Sequence, residues 1–291
     1  MTVSSKYSNY VHMNLSELRT FLSIVETGSL VRASEALNVT QSTVTARLKT
    51  LEDTVGQTLI NRSKSGATLT AAGMRLLRYA DTISELWRQA QQEASLPEEL
   101  SGVCNLACET DLWPGLGERF FVNLQNRYPA TAISVWLGSQ SDVAEWLGSG
   151  RSDIAFTYRA AISPRQSQTE LKPDQLTLVA THHDSLGRGD AGYVFVEGGQ
   201  DFGRDHASAF TNAVSPRLSF GTATMGLQHL LRAGGSAYVP LRMVADAVSN
   251  GSMFTVPSAP VFERRVYLTS NKSAEKNWSW FSSVNHLISI A

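Results

Sequence analysis

MNLSELRTFLSIVETG, SLVRASEALNVT, QSTVTARLKTLEDTVGQ, TLINRSKSGATLT and AAGMRLLRYADTISELWRQAQQEA, contiguous residues 13–94, decide how this chain is read. Leu15, Leu18, Phe21, Leu22 and Val25 recur at helical spacing and give a first helix one buried stripe. Gly28 follows the stripe and suits a helix stop. Ser29 is a good N-cap for a second helix with Ala33, Ala36 and Leu37 inward. After the turn at Asn38 and Val39, Thr40 caps a third helix. Val44, Leu48 and Leu51 are its inward side, and Gly56 closes it. Leu59–Arg62 and Ala67–Leu69 read as two short strands around a basic polar loop.

The exposed side of the third helix carries Gln41, Ser42, Thr43, Thr45, Ala46 and Lys49. Short hydroxyl and amide groups at a helix N-terminus suit a DNA major groove, where they reach base edges and phosphates. Arg47 and Lys49 add positive charge, and Arg62 and Lys64 place more on a wing over the backbone or minor groove. Thr70 caps the last helix, whose apolar positions Gly73, Leu77, Ala80, Ile83, Trp87, Ala90 and Ala94 alternate steps of three and four. That spacing describes a coiled-coil seam, so Leu77, Ala80, Ile83, Trp87 and Ala90 are expected at a homodimer contact.

This segment resembles the N-terminal domain of LysR-type transcriptional regulators. The likeness rests on Leu18–Phe21, on ETGSLVRASEALNVTQSTVTARLKTLE, and on the leucine-x-x-arginine with LTAAG between Leu59 and Gly73. Ile60 stands where the family usually has Phe, and Ser42 where Pro is common. The resemblance implies double-stranded DNA at Gln41, Ser42, Thr43, Thr45, Arg47 and Arg62. It also implies that the long helix pairs two subunits. A homotetramer, through the second domain, and RNA polymerase are further expected partners.

A net charge of -1 permits DNA binding without forcing it. Glu17, Glu26, Glu35, Glu52 and Asp53 offset the basic residues of the reader, so charge is distributed and not summed. The 291 residues suggest about two domains, and no apolar run of about 18 residues exists to cross a membrane. Met1–His12 is polar and unpatterned. The lack of a secretory segment points to the cytoplasm. Cys104 and Cys108 share one face of a probable strand. They are read as small core residues, with a redox switch or half a metal site as the alternative. No cofactor and no metal are expected.

Leu96–Gly102, with Pro97, reads as a hinge. Beyond it strands and helices alternate to Ile290, which predicts an α/β fold with mostly parallel sheets. The strands fall at Val103–Cys108, Ala132–Leu137, Asp153–Tyr158, Leu176–Ala180, Tyr193–Val196, Leu218–Phe220, Ser236–Val239 and Arg265–Ser270. A closing helix is expected over Trp278–Ile290. Ligands in such folds bind outside the carboxyl ends of strands. Those ends carry Thr110, Asp111, Ser139, Gln140, Tyr158, Glu197, Thr222 and Thr224. These are the candidate effector residues, although Ser141 and Thr224 suit helix caps equally well.

FFVNLQNRYPATAISVWLGSQSDVAEWLGSGRSDIAF and GGSAYVPLRMVADAVSNGSM are similar to the effector-binding domain of the same family, which looks like a periplasmic binding protein. The resemblance implies two α/β subdomains, about 102–160 with 265–291 and about 161–264. The chain would cross between them near Tyr158–Pro164 and Phe262–Arg265, with a small-molecule effector in the cleft. The domains then read as a winged helix-turn-helix at 13–70, a linker helix and hinge at 71–101, and an effector-binding domain at 102–291. The whole describes a sequence-specific regulator whose operator binding responds to an effector. Glu109, Asp111 and Glu197 in the cleft suit an anionic effector poorly unless Arg159 or backbone amides compensate, and a neutral or cationic effector is equally open. Two rivals remain: an architectural DNA binder without an effector, and an enzyme. Against the second, no nucleophile elbow, phosphate loop or dinucleotide fingerprint is present.

Overall fold

The computed structural model describes residues 14–63, 66–160, 163–185, 192–211 and 216–289. Met1–His12 and Lys64 therefore lie outside the described residues. The chain divides into two compact units. One runs to Ser95 and takes in Ser149–Arg151. The other holds Leu96–Gly148 and Ser152–Ala291.

The first unit contains α1 (Leu15–Thr27), α2 (Leu30–Ala36), α3 (Gln41–Val55), the strands β1 (Ile60–Ser63) and β2 (Gly66–Leu69), and α4 (Ala71–Ala94). Every predicted cap forms. Asn14 adds a reciprocal capping box with Glu17 ahead of α1. Ser29, Thr40 and Thr70 accept backbone N–H groups at the starts of α2, α3 and α4. Gly28 and Gly56 end α1 and α3 in the left-handed region, at φ 64° and 72°. Leu18, Phe21, Ile24, Ala33, Val44, Leu48, Leu51 and Leu59 form the buried core. Ala36, expected inward, is exposed. The short α2 buries Ala33 and Ser34 instead.

The hairpin is tied to the helices by backbone groups and one carboxylate. Glu52 accepts from the N–H groups of Leu59 (2.8 Å) and Ile60 (3.2 Å), and Ala67 N–H donates to Gly28 O (2.9 Å). The first turns of α4 pack on this same core. Ala80 is fully buried there, with Ala72, Leu76, Leu77 and Ile83 against it. This corrects the expectation for Ala80, which is enclosed by its own unit and has no surface left for a second copy. Its neighbours on the helix face out: Tyr79, Leu86 and Trp87 are each about half exposed.

The second unit contains β3 (Gly102–Glu109), α5 (Glu118–Arg127), β4 (Thr131–Gly138), α6 (Gln140–Ser149), β5 (Ile154–Thr157), β6 (Gln166–Ala180), β7 (Phe195–Val196) and α7 (Gln200–Ala209). It continues through β8 (Ser219–Phe220), α8 (Ala223–Ala233), β9 (Ser236–Pro240), α9 (Ala245–Ser249), β10 (Phe254–Thr255), β11 (Phe262–Asn271), α10 (Lys272–Glu275) and α11 (Val284–Ser289). A first lobe packs around β3, β4 and β5, with Phe120, Leu124, Phe156, Trp278 and Trp280 in its core. A second packs around β9 and the C-terminal part of β6, with Val194, Val196, Leu230, Val239 and Met253 inside. Cys104 and Cys108 are buried and unbridged in the first core, where burial pushes both thiols up.

Two long strands, β6 and β11, join the lobes. They pair antiparallel from Phe262↔Leu176 to Asn271↔Gln166. One seven-stranded sheet thus runs through both lobes. The expectation of mostly parallel sheets is corrected. Among the described strands, parallel pairing is found for β3 with β4 and β5 and for β7 with β8, with one further parallel bridge at Tyr193↔Ser236, while β6 and β11 oppose every strand they pair with. Strands that carry the chain out to one lobe and back to the other must run in opposite directions. The start of β6 at Gln166, ahead of the predicted Leu176, has a related cause. QSQTELKPDQ is polar, and pairing with β11 rather than burial makes it a strand. The closing helix is reduced to α11, and Ile290 is outside the described residues. Trp278 and Trp280 stack at 4.7 Å in a turn, where Trp278 Nε1 donates to Val103 O.

Gly73 gives a test of the first unit. A Cβ there would lie 2.2 Å from Leu59 O and 2.8 Å from a Leu69 methyl. In an exposed helix Gly→Ala gains stability. Here Gly73→Ala is expected to lose about 1–3 kcal/mol by overpacking, read as a lower denaturation midpoint for the N-terminal unit.

Candidate DNA interface and ligand cleft

Thr40 stands at the start of α3 as its N-cap. Its Oγ1 accepts from Thr43 N–H (3.2 Å) and lies 2.8 Å from the hydroxyls of Ser42 and Thr43. The three hydroxyls form one connected cluster on the surface. Gln41, Ser42 and Lys49 are exposed, Thr43, Thr45 and Arg47 half-buried, and Arg62 is exposed on β1. Among the described residues the predicted DNA side chains therefore all keep solvent access, while Val44, Leu48 and Leu51 fix the helix from behind. Thr40 differs from the others because its oxygen is already committed to the cap.

In the second unit, the carboxyl ends of five strands converge on one cavity of about 230 Å³. β3 delivers Glu109, Thr110 and Asp111, β4 delivers Gly138 and Ser139, and β5 delivers Tyr158. β7 is followed by Glu197 and Gly199, and β8 by Gly221 and Thr222. Gln140 opens α6, and Arg264 comes from the crossing strand β11. Seven of the eight predicted effector residues, Thr110, Asp111, Ser139, Gln140, Tyr158, Glu197 and Thr222, line this cavity. Thr224 does not, because its hydroxyl is turned to Asp111 at 3.2 Å. A larger cavity of about 600 Å³ shares Gln140, Tyr158, Gly199 and Arg264 with it and adds Arg159 and Arg204.

Several lining side chains have local partners. Ser139 caps α6, donating to Asp142 (2.6 Å) and accepting its N–H. These bonds hold the exposed Asp142 carboxyl below its ordinary range. Thr222 caps α8 by accepting from Met225 N–H, and Thr110 donates to Gly138 O. Tyr158 turns its hydroxyl away from the cavity and donates to Asp174 (2.8 Å). Burial, reinforced by the Asp174 carboxylate, pushes this phenol well up, so it stays a donor. The Arg242 guanidinium completes the network, meeting both Asp174 oxygens (2.7 and 2.8 Å), the Tyr158 hydroxyl and the carbonyls of Asp111 and Pro114.

Two residues outside the eight candidates, Arg264 and Glu109, add charge to the cavity beside Asp111 and Glu197. The Arg264 guanidinium lies over the Tyr158 ring, 3.4 Å from its centroid. Sequence could not choose it over Arg265, since adjacent strand residues face opposite ways and the pairing with β6 slips between Arg264 and Val266. Glu109 is nearly buried and accepts from Tyr158 N–H at 2.9 Å. The sequence already placed Glu109 in the cleft, although not among the eight candidate residues.

Burial pushes the Glu109 carboxyl up, while the Tyr158 N–H, Arg264 and Arg159 oppose the shift and Asp111 adds to it. A raised carboxyl binds more protons in the folded than in the unfolded chain. Its contribution is present below the ordinary glutamate range and is lost as pH rises through the raised value. Glu109→Gln is expected to flatten that decline, measured as melting temperature against pH beside the wild type.

The comparisons with known proteins cover both units. Residues 15–74 match the bacterial regulatory helix-turn-helix family model of the lysR family, and residues 97–277 match the LysR substrate binding domain. The HTH-type transcriptional regulator HdfR of Escherichia coli O139:H28 is 26% identical over 268 residues, 91% of this chain and 94% of its own. Two solved structures share the fold. ArgP from Mycobacterium tuberculosis has a TM-score of 0.63 at 23% identity, covering 95% of this chain and 96% of its own. The full-length LysG of Corynebacterium glutamicum, solved with its effector Arg bound, has a TM-score of 0.57 at 20% identity, covering 95% and 96%. The chain belongs to the LysR family of bacterial transcriptional regulators, with a helix-turn-helix DNA-binding domain followed by a LysR substrate-binding domain.

Proposed function

We propose that α3 reads the operator through Gln41, Ser42, Thr43 and Thr45, with Arg47, Lys49, Arg62 and Lys64 on the phosphates, and that a small molecule in the cleft of the second unit modulates binding. The observation that carries the second half is the cavity itself, in which strand ends from both lobes meet around Glu109, Gln140, Glu197 and Arg264. A ligand there acts on the lobes of one sheet joined by β6 and β11. It shifts their equilibrium only by its differential affinity for two arrangements. The domains we assign are the reader to residue 70, the linker helix and hinge at 71–101, and the effector domain from 102. The chain works in the cytoplasm as a regulator and not as a catalyst. It pairs with a second copy through α4 and with further copies through the second unit, and it contacts RNA polymerase at the promoter. Among the described residues no helix is long and apolar enough to cross a membrane.

The linker seam we assign differs from the sequence pattern. Leu77 and Ile83 pack partly on their own unit, so the exposed run of Tyr79, Leu86, Trp87 and Ala90 carries the contact. Trp87→Glu places a charge in that seam. Light scattering should give half the wild-type mass while the N-terminal unit melts unchanged, and an unaltered mass removes this seam.

For the operator, Gln41→Ala and Ser42→Ala are expected to change which sequence is protected, because their side chains meet base edges. Lys49→Ala is expected to weaken all DNA about equally and lower the salt slope by about one. Footprints and binding titrations across salt separate the two effects, and identical footprints for all three variants overturn the groove assignment. A metabolite screen by thermal shift, repeated on Gln140→Leu, tests the cleft. A stabiliser that acts equally on both proteins does not sit there.

A further inference from the structure

Asp111 fills the start of α8 in the cleft with the chain's own carboxylate. Its Oδ2 accepts from Ala223 N–H at 2.7 Å, and its Oδ1 from Thr224 N–H (3.1 Å) and the Thr224 hydroxyl (3.2 Å). Ala223 and Thr224 begin α8 in the second lobe, whereas Asp111 follows β3 in the first. The amides at a helix start carry partial positive charge and are where an anionic ligand gains most. The side chain that takes them is about nine-tenths buried, at 7% exposure. It is also held from behind, since Arg242 donates to the Asp111 carbonyl.

We propose that Asp111 is a specificity-determining residue that fills the anion seat of α8, so that this cleft rejects carboxylate ligands there and admits a neutral or cationic one. The inference rests on the ligand-cleft reading above. The rest of the lining agrees with it. With Asp111 satisfied by α8, the carboxyls of Glu109 and Glu197 line this cavity beside the guanidinium of Arg264, and the adjoining larger cavity adds Arg159, Arg204 and Arg265 together with Asp201, Asp205 and Glu263. The Arg264 guanidinium is stacked on Tyr158. An incoming carboxylate would find the α8 amides taken, while an amine or an uncharged polar group would meet the carboxyl oxygens of Glu109 and Glu197 as acceptors.

The test uses the full chain and three probes, succinate, benzoate and the diamine putrescine, at millimolar concentration. Binding is read by calorimetry and by the amide signals of Ala223 and Thr224 in NMR spectra. In the wild type, succinate and benzoate are expected to leave both signals in place. Asp111→Gly, which empties the seat, is expected to bind the carboxylates and to shift both signals. Asp111→Asn keeps the shape and one acceptor oxygen, and should show a smaller gain; it serves if the glycine variant does not fold. Putrescine is expected to bind the wild type and to lose affinity in Glu109→Gln. Succinate moving the two amide signals in the wild type overturns the inference. So does an Asp111→Gly protein that is folded, less stable and no better at binding carboxylates, since Asp111 is then only a structural clasp. Either of those results leaves the ligand cleft intact if putrescine still binds. Failure of all three probes on every protein removes the cleft reading and the inference together.

Discussion

Arg242 and Asp174 form an ion pair at the place where the chain crosses between lobes, with only 15% and 6% of their side chains exposed. Replaced together by well-packed apolar residues, such a pair is often no great loss. Removing one partner alone costs about 3–5 kcal/mol because the other charge stays buried. What the pair contributes here is direction. A guanidinium has five donors in a fixed fork, and this one spends them on Asp174, on the Tyr158 hydroxyl and on the carbonyls of Asp111 and Pro114. A lysine could not reach that set. The consequences run through the cleft. Because its hydroxyl is committed, Tyr158 presents a ring to the cavity, and Arg264 lies on that ring. With its backbone held, Asp111 can send its side chain to α8.

The first unit was legible almost residue by residue. Its caps, stops and core stripe are local chemistry: a hydroxyl before a helix, a glycine after it, apolar residues at three and four. The misses there were tertiary. Ala36 looked inward by spacing, but a seven-residue α2 turns too little surface to the core to bury both it and Ala33. Ala80 fitted a coiled-coil seam, yet one apolar stripe can face its own core in its first turns and solvent in its later ones, and period alone does not mark the change. Glu52 was counted as an offsetting surface charge. In the fold it pins the hairpin through two N–H groups, a role that depends on a turn no propensity specifies.

The second unit was legible at its strand ends and illegible at its crossings. Topology places ligand residues after strands, so seven of the eight bets met in one cavity. Strand direction was misjudged because β6 and β11 owe their length to pairing with each other over polar sequence, which leaves no hydrophobic signature. Arg264 was lost for the same reason, since a register slip decides which of two adjacent arginines faces in. Glu109, Asp111 and Glu197, the acids the sequence placed in the cleft, all line the cavity. The fate of each acid was not readable, because it hangs on contacts between residues far apart in sequence, Glu109 with Tyr158 and Asp111 with Ala223.

Those contacts change what a ligand has to do. With Asp111 on the α8 amides, the lobes are already fastened in the absence of any ligand. A compound can shift their equilibrium only by binding one arrangement better than the other. One that fits the void beside Glu109 and Gln140 adds its contacts to the fastened state and favours it further. One that needs the α8 amides must first release Asp111, and the bonds it then makes replace bonds already present. In an empty seat each charge-assisted hydrogen bond would contribute about 1.5–3 kcal/mol, on the order of tenfold to a hundredfold in affinity. Against an internal carboxylate that contribution cancels to first order. On the proposal that Asp111 fills the anion seat, discrimination between ligand classes follows from one side chain held in place by Arg242, and the network that shapes the cleft also sets what it can recognise.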